Sequence, residues 1–292
     1  MNTSKTITIA AKSKYPLTVN RLGYGTMRLT GEGIYGEPPR RDEALKILRQ
    51  STQHGINFLD TADYYGESVT NRLICEALYP YPNDLVICTK IGATRKPDKS
   101  WVLYNKPDQL RTSIENNLRV LKQEQIQLVH YRVMNSDSSF EPGIETMLKL
   151  QEEGKILHFG VSNVTKAELE KAISMGEIAT VENMYGHAQR GDMKQGHMTT
   201  RGAEDLLPIC EANGIALLPF FSLQTAAGKK DERIAEIAKK YGATESQINI
   251  AWLLHKSPWI LPIPGTSSLD HFKENVAAGD IDLTEEDMAY LG

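Results

Sequence analysis

The chain has 292 residues, and its 33 Lys and Arg against 37 Asp and Glu give a formal net charge of −4. That balance excludes a broadly basic nucleic-acid surface or a cationic membrane face, while leaving room for a local cationic pocket. With 40 % hydrophobic and 24 % charged residues the chain has the make-up of a soluble globular protein, long enough to bury a sizeable core.

Residues 1–20 carry no apolar signal region, and no apolar run approaches the ~20 residues of a membrane span. "TITIA" and "YPLTV" read as an N-terminal β-hairpin. Then "RLGYGTM" (21–27) is a first core strand, 40–55 a helix closed by Gly55, "INFLD" (56–60) a strand and 69–79 a helix. "DLVICTK" (84–90) is the next strand, followed by a helix over 106–122 opened by Pro107. "IQLVHYR" (126–132) and "ILHFGVS" (156–162) are strands, each followed by a helix, at 142–154 and 166–176. Strand 178–185 leads through a polar segment to a helix near 201–213, and strand 215–221 leads to helices at 229–241 and 245–256. "WILPIPG" (259–265) and the helix "LDHFKENVAA" end the series. Eight core strands, each followed by a helix and apolar on both faces, fit a (β/α)8 TIM barrel preceded by a hairpin. No linker-like tract divides the chain, so residues 1–292 read as one domain.

"GEGIYG" (31–36) matches G-x-G-x-x-G, and Asp60 ends the next strand, where a ribose-binding acid would be sought. In a dinucleotide fingerprint, however, the third glycine opens the helix. Here Glu37, Pro38 and Pro39 follow Gly36 and push the helix start to about residue 40. A loop rimming a site is the better reading.

Barrel strands aim their C-terminal ends at a common mouth. Those ends carry Asp60, Lys90 and Arg132, with Tyr65 just past Asp60. Two readings stand: Asp60 and Lys90 form a buried structural ion pair, or the group assembles an acid for carbonyl reduction. A tyrosine with an ordinary pKa of ~10 protonates an alkoxide reluctantly at neutral pH. An ammonium about 4 Å away favours the phenolate by ~4 kcal/mol at an effective dielectric of 20, or ~3 pK units. Asp60 would keep Lys90 protonated and aimed. No His, Cys and carboxylate cluster has metal-ligand spacing, so no metal is expected. His187 and His197 flank the Gly-rich stretch "GHAQRGDMKQGH", which with Arg190 and Arg201 reads as a rim of the site.

"LGYGTM", "FLDTADYYG", "TKIG", "GVSN" and "PIPGTSSLDHFKEN" together resemble the aldo-keto reductases over essentially the whole chain. "NRLGYGTMRLTG", "ALYPYPNDL" and "VHYRVM" are similar to the family's pyridoxal reductase branch. The resemblance implies that Tyr65 is the general acid, Lys90 the group that lowers its pKa, and Asp60 the partner of that lysine. Arg132 stands where the family normally has a histidine. It can orient a carbonyl oxygen but cannot relay a proton. His130, two residues earlier, is expected one layer deeper as a core histidine.

The resemblance also implies NADPH/NADP+ bound across the mouth without a Gly-rich pyrophosphate corner. Ser162 and Asn163 would bond the nicotinamide carboxamide, with Glu182 in place of a usual glutamine. Phe220 would stack on the ring, with Leu223 nearby, and Gly25, Thr26 and Met27 would approach by backbone and rim contacts. At the start of the last helix, Gly265, Thr266 and Ser267 would hold the adenosine phosphate, with His271, Glu274 and Asn275 near the ribose and adenine. Trp101 and Tyr104 read either as a wall of an aromatic substrate pocket or as loop packing; Tyr35 and Tyr64 complete the candidates for that pocket. The implied reaction is reduction of a small-molecule aldehyde, pyridoxal first, in the cytoplasm, with no nucleic-acid, membrane or obligate protein partner. A broad aldehyde or sugar-carbonyl reductase and a slow NADPH-sensing protein are the alternatives.

Overall fold

The computed structural model describes residues 5–134, 139–195, 198–223 and 231–292. The N-terminal strands β1 (Thr6–Ile9) and β2 (Leu17–Asn20) pair antiparallel, with Ile7 opposite Val19. Their apolar face, Ile7, Ile9 and Val19, packs on Phe58, Val86, Leu128, Ala216 and Leu218. These are inward residues near the strand N-termini, so the hairpin closes the end of the sheet opposite the C-terminal ends.

After the hairpin come β3 (Tyr24–Gly25), α1 (Arg41–Gln53), β4 (Phe58–Asp60), α2 (Val69–Leu78), β5 (Val86–Arg95) and β6 (Trp101–Tyr104). Next are α3 (Pro107–Leu121), β7 (Ile126–Arg132), α4 (Phe140–Glu152), β8 (Ile156–Ser162), α5 (Lys166–Met175) and β9 (Thr180–Met184). The short pair β10 (Met193–Gln195) and β11 (Met198–Thr200) follows, then α6 (Leu207–Asn213) and β12 (Ala216–Phe220). The chain finishes with α7 (Glu232–Tyr241), α8 (Glu245–Lys256), α9 (Leu269–Ala277) and α10 (Glu285–Leu291). Seven strands run parallel in the order β3-β4-β5-β7-β8-β9-β12. Helices cover the outer face, where one large cluster includes Val129, Phe159 and Val181 from the strands and Ile144, Met147 and Trp252 from the helices. This is an α/β fold of the (β/α)8 kind.

The eighth position is taken by residues 259–265, which bond both edges of the sheet without a regular ladder. On one side Leu217 donates its amide to Trp259 O (2.8 Å) and Leu261 donates to Leu217 O (2.9 Å). On the other, Gly23 donates to Pro262 O (2.9 Å) and Gly25 to Pro264 O (3.4 Å). Pro262 and Pro264 have no N–H, so the segment accepts from β3 but cannot donate back. Glycine is required at this seam: a Cβ on Gly25 would lie 2.6 Å from Ile263 O, and one on Gly265 2.5 Å from Gly25 O. Arg21, 3 % exposed, ties the same seam by donating to Leu254 O (2.8 Å) and Ser257 O (2.7 Å).

Several boundaries differ from expectation. The strand expected over 84–90 continues to Arg95 and turns back as β6, pairing Arg95 with Trp101. Asp98 braces that turn by accepting from the Ser100 amide at 2.9 Å. The helix expected near 201–213 begins only at Leu207, with Pro208 in its first turn. The start expected for the helix at 229–241 lies partly outside the described residues. The glycines of 31–36 lie in turns, Gly33 and Gly36 at positive φ, as a loop and not a strand-to-helix corner. Among the described residues no helix is long and apolar enough to cross a membrane.

Candidate active site

The strand ends build a charged floor. β4 ends in Asp60, and Lys90 lies on the neighbouring β5, one position beyond Thr89 and beside His130 of β7 in register. Lys90 is 1 % exposed and Asp60 3 %; Nζ donates to the two Asp60 carboxylate oxygens at 2.5 and 2.6 Å. A second carboxylate, Glu182 on β9, is 3.2 Å from the same ammonium and 2.8 Å from His130 Nδ1. His130 is fully buried, one layer below the mouth as expected, with Nε2 2.7 Å from Thr180 Oγ1. Burial pushes the imidazole pKa down against the pull of Glu182. A neutral His130 therefore suits Nδ1–H toward Glu182 and Nε2 accepting from Thr180.

Burial alone would lower Lys90, but Asp60 and Glu182 outweigh it and hold its pKa well above the usual lysine value. Two buried carboxylates facing one ammonium cannot both be satisfied as anions. Burial first, and then the charge of Glu182, raise Asp60 against the opposing pull of Lys90. Glu182, expected beside a carboxamide, faces Lys90 and His130 and also lines the cavity. Asp60, Cys88 and His130 also bring one donor atom each within 4.8 Å of one another. With Lys90 already bonded to Asp60 and the Cys88 thiol raised by burial, a cation there would meet an ammonium and a protonated thiol.

Above the floor is a cavity of about 370 Å³. Its walls include Tyr64, Tyr65, Trp101, Arg132, Phe220 and Phe221, with Ile34 and Met27 on one side and Gly25, Pro264 and Gly265 at the seam. Tyr65 is 6 % exposed, with Lys90 Nζ 5.3 Å from its ring centroid. Burial raises the phenol pKa, and Lys90 opposes that rise without reversing it. The expected lowering fails because burial outweighs the pull of Lys90, and the charges of Asp60 and Glu182 add to the rise. Tyr64 stands edge-on to both Tyr65 and Trp101, 5.4 Å between centroids in each case, so Trp101 is pocket wall and not only loop packing.

Three polar atoms around this region are buried and unpartnered: Ser162 Oγ, Tyr64 Oη and Arg132 Nε. Other candidates already make bonds within the protein. Asn163 gives its side-chain amide to Val133 O (2.7 Å) and Thr199 O (3.3 Å) and accepts from the Arg201 amide at 2.8 Å, which fixes the loops around it. Thr26 donates both its amide and its hydroxyl to Asp60 O, each at 2.9 Å, so it braces the acid's backbone. Tyr35 is replaced by Ile34 in the cavity wall; its own ring sits 6.0 Å from the Arg95 guanidinium. Leu223 lines the cavity. At the head of α9, Thr266 Oγ1 accepts from the Ser268 amide at 3.1 Å, and Glu43 Oε1 accepts from the Leu269 amide at 3.2 Å. Ser267, His271 and Glu274 are exposed, while Asn275 is 7 % exposed. His187 is buried and bonded to Leu291 O at 2.8 Å; His197 lies outside the described residues.

Sequence reasoning missed Arg95, which is 8 % exposed. It donates to Gly33 O (2.8 Å), Ile34 O (3.1 Å) and Lys99 O (2.6 Å) and lies 4.1 Å from the Trp101 ring. It thereby holds Ile34 at φ 60°, an uncommon position for a β-branched residue. A charged residue ending the long apolar run of β5 was the available signal.

A parallel α/β barrel whose strand ends converge on a buried lysine, its carboxylates and a tyrosine below an aromatic cavity has the architecture of a barrel oxidoreductase. The Aldo/keto reductase family matches residues 21–292, and the chain belongs to that family. It is 40 % identical to a pyridoxine 4-dehydrogenase of Escherichia coli K12 over 99 % of this chain and 97 % of that one. An uncharacterized oxidoreductase of Schizosaccharomyces pombe is 35 % identical over 94 % and 86 %. Among solved structures, the thermostable aldo-keto reductase Tm1743 in complex with epalrestat superposes with a TM-score of 0.82 at 29 % identity, covering 98 % of each chain. An aldo/keto reductase of Klebsiella pneumoniae in complex with NADP and acetate does so with 0.77 at 26 % identity, over 99 % and 94 %.

Proposed function

We propose that this protein reduces an aldehyde to an alcohol with NADPH, and that pyridoxal, reduced to pyridoxine, is its leading substrate. The observation that carries the reading is the juxtaposition of Tyr65, facing the cavity, with the buried Lys90–Asp60 pair beneath it. Similarity to the E. coli pyridoxine 4-dehydrogenase supports the substrate, and that to the Klebsiella complex with NADP supports the cofactor. We read residues 1–292 as one domain and place it in the cytoplasm, in keeping with three free cysteines.

The residues present fit the cofactor: Ser162 Oγ is an orphaned buried hydroxyl at the end of β8, suited to a carboxamide, and Phe220 offers a ring at the cavity wall. Gly25 and Gly265 leave backbone without side chains at the seam, while Gly265, Thr266, Ser267 and the start of α9 would take the adenosine phosphate. Bound NADPH supplies the hydride to the carbonyl carbon. Tyr65, kept protonated by burial, donates its phenolic proton to the carbonyl oxygen. Lys90 then faces a phenolate and stabilises it, and solvent returns the proton, so one aldehyde, one NADPH and one proton give one alcohol and one NADP+. Asp60 and Glu182 hold Lys90 charged, and Arg132 orients the carbonyl oxygen from the wall.

The test is NADPH oxidation by the purified protein with pyridoxal, aromatic aldehydes and small sugars. Preference for pyridoxal is expected. Slow turnover without discrimination would overturn the vitamin assignment in favour of a generalist reductase, and absence of turnover would overturn the reductase reading.

A further inference from the structure

Arg132 ends β7 and lines the cavity. Among the described residues no carboxylate comes within ion-pair distance of it; the acids of the site, Asp60 and Glu182, are engaged by Lys90 and His130. Its guanidinium lies 5.8 Å from the centre of the Phe220 ring, and its Nε is buried without a partner. A guanidinium presents donors as a planar edge, and a buried, unmet N–H of a charged group is costly unless a ligand meets it. A lone aldehyde oxygen can meet one N–H of that edge. Two adjacent oxygens, one of them anionic, meet the Nε–H and a neighbouring Nη–H together, as a carboxylate does. The surrounding walls, Tyr64, Trp101 and Phe220, favour a flat ring.

We infer that Arg132 is a specificity-determining residue: its two-pronged edge takes the carbonyl oxygen together with an ionised hydroxyl on the adjacent ring carbon. The preferred substrates are therefore planar aromatic or heteroaromatic aldehydes bearing an ortho hydroxyl. The inference rests on the aldehyde reading above and goes further, because it states which substituent is recognised and by which side chain.

Methylation of that hydroxyl removes the charge and leaves the ring and aldehyde in place. The test compares kcat/KM for pyridoxal against its 3-O-methyl ether, and for 2-hydroxybenzaldehyde against 2-methoxybenzaldehyde. The wild-type protein is expected to prefer the free hydroxyl by about ten- to a hundredfold, the range for a charge-assisted hydrogen bond. In Arg132→Gln the preference should fall to roughly threefold or less, even though overall rates fall, because the charged contact is lost. Arg132→Lys, which keeps the charge without the planar edge, should retain part of it. A wild-type preference near one, or one that survives in Arg132→Gln, overturns the inference. If no aldehyde is reduced at all, the reductase reading fails by itself. Calorimetric titration of pyridoxine into the NADP+-loaded protein then decides the contact: weaker binding in Arg132→Gln supports it, and equal affinity overturns it.

Discussion

The floor and the wall of the cavity are built on opposite terms. On the floor, Lys90, Asp60, Glu182, His130 and Thr180 meet one another within 3.2 Å, so the ammonium faces its carboxylates inside the protein. On the wall, Tyr64 Oη and Arg132 Nε are buried yet unmet, as is Ser162 Oγ at the end of β8. Buried polar groups without partners are rare in folded proteins. Of those three, Tyr64 and Arg132 line the cavity, where a ligand can meet what the fold leaves unmet.

The largest effect should come from breaking the floor. Lys90→Met leaves Asp60 and Glu182 facing each other without a cation; removing one partner of a buried ion pair typically costs roughly 3–5 kcal/mol, so thermal denaturation should shift strongly downward along with loss of turnover. A variant as stable as the wild type would show that the floor is not held by this charge. Tyr65→Phe touches neither the floor nor the fold, and the loss of a positioned acid should lower kcat by roughly 10²–10⁴. Fluorescence titration should find its NADPH affinity nearly unchanged; retained steady-state activity would remove Tyr65 from its role.

Ser162→Ala tests the unmet hydroxyl at the end of β8. Because the hydroxyl has no partner in the protein, stability should hold or rise slightly, while the KM for NADPH rises about three- to tenfold, the worth of one hydrogen bond. A destabilised variant with an unchanged KM would make Ser162 a structural residue and not a ligand contact. The smallest effect concerns Asp63, whose Oδ1 is buried without a partner and whose pKa burial raises from 3.8 to about 7. The folded state binds that proton more tightly than the unfolded chain, so the stability it contributes is present below 3.8 and is lost as pH rises through about 7. Asp63→Asn should therefore gain on the wild type in urea midpoint as pH rises between about 4 and about 7. A constant difference across that window would contradict the burial argument.

Much of this was legible in the sequence where a local pattern carried it. Asp60 and Lys90 stand out because each closes an apolar run, and the side-chain parity of a strand placed His130 below Arg132. Partnerships set by strand order were not legible. Glu182 reaches Lys90 and His130 only because β9, β8, β7 and β5 lie side by side, a register that no local window contains. The bond that Asn163 gives to Thr199 O of β11 is likewise set by tertiary placement and not by a local pattern. Residues 91–95 have the composition of a buried strand, but their return as a hairpin depends on a turn whose signal, Asp98 before Ser100, is weak. The run 259–265 has the apolar content of a strand, while its prolines limit it to accepting hydrogen bonds. α10 was missed although Thr284 and Asp287 cap its start reciprocally, because its apolar face is short.

The glycine seam also bears on how the chain folds. Gly25 and Gly265 touch backbone to backbone, and Arg21 reaches Leu254 and Ser257 at separations of 233 and 236 residues. Contacts so distant in sequence form late and slow folding, because the loop between them must be ordered first. During synthesis β3 therefore waits, its outer amides unpaired, until nearly the whole chain has emerged. An exposed strand edge is a template for association with other chains, and this one persists longest. The brevity of β3, two residues, limits that hazard by offering little ladder for a stray strand to extend.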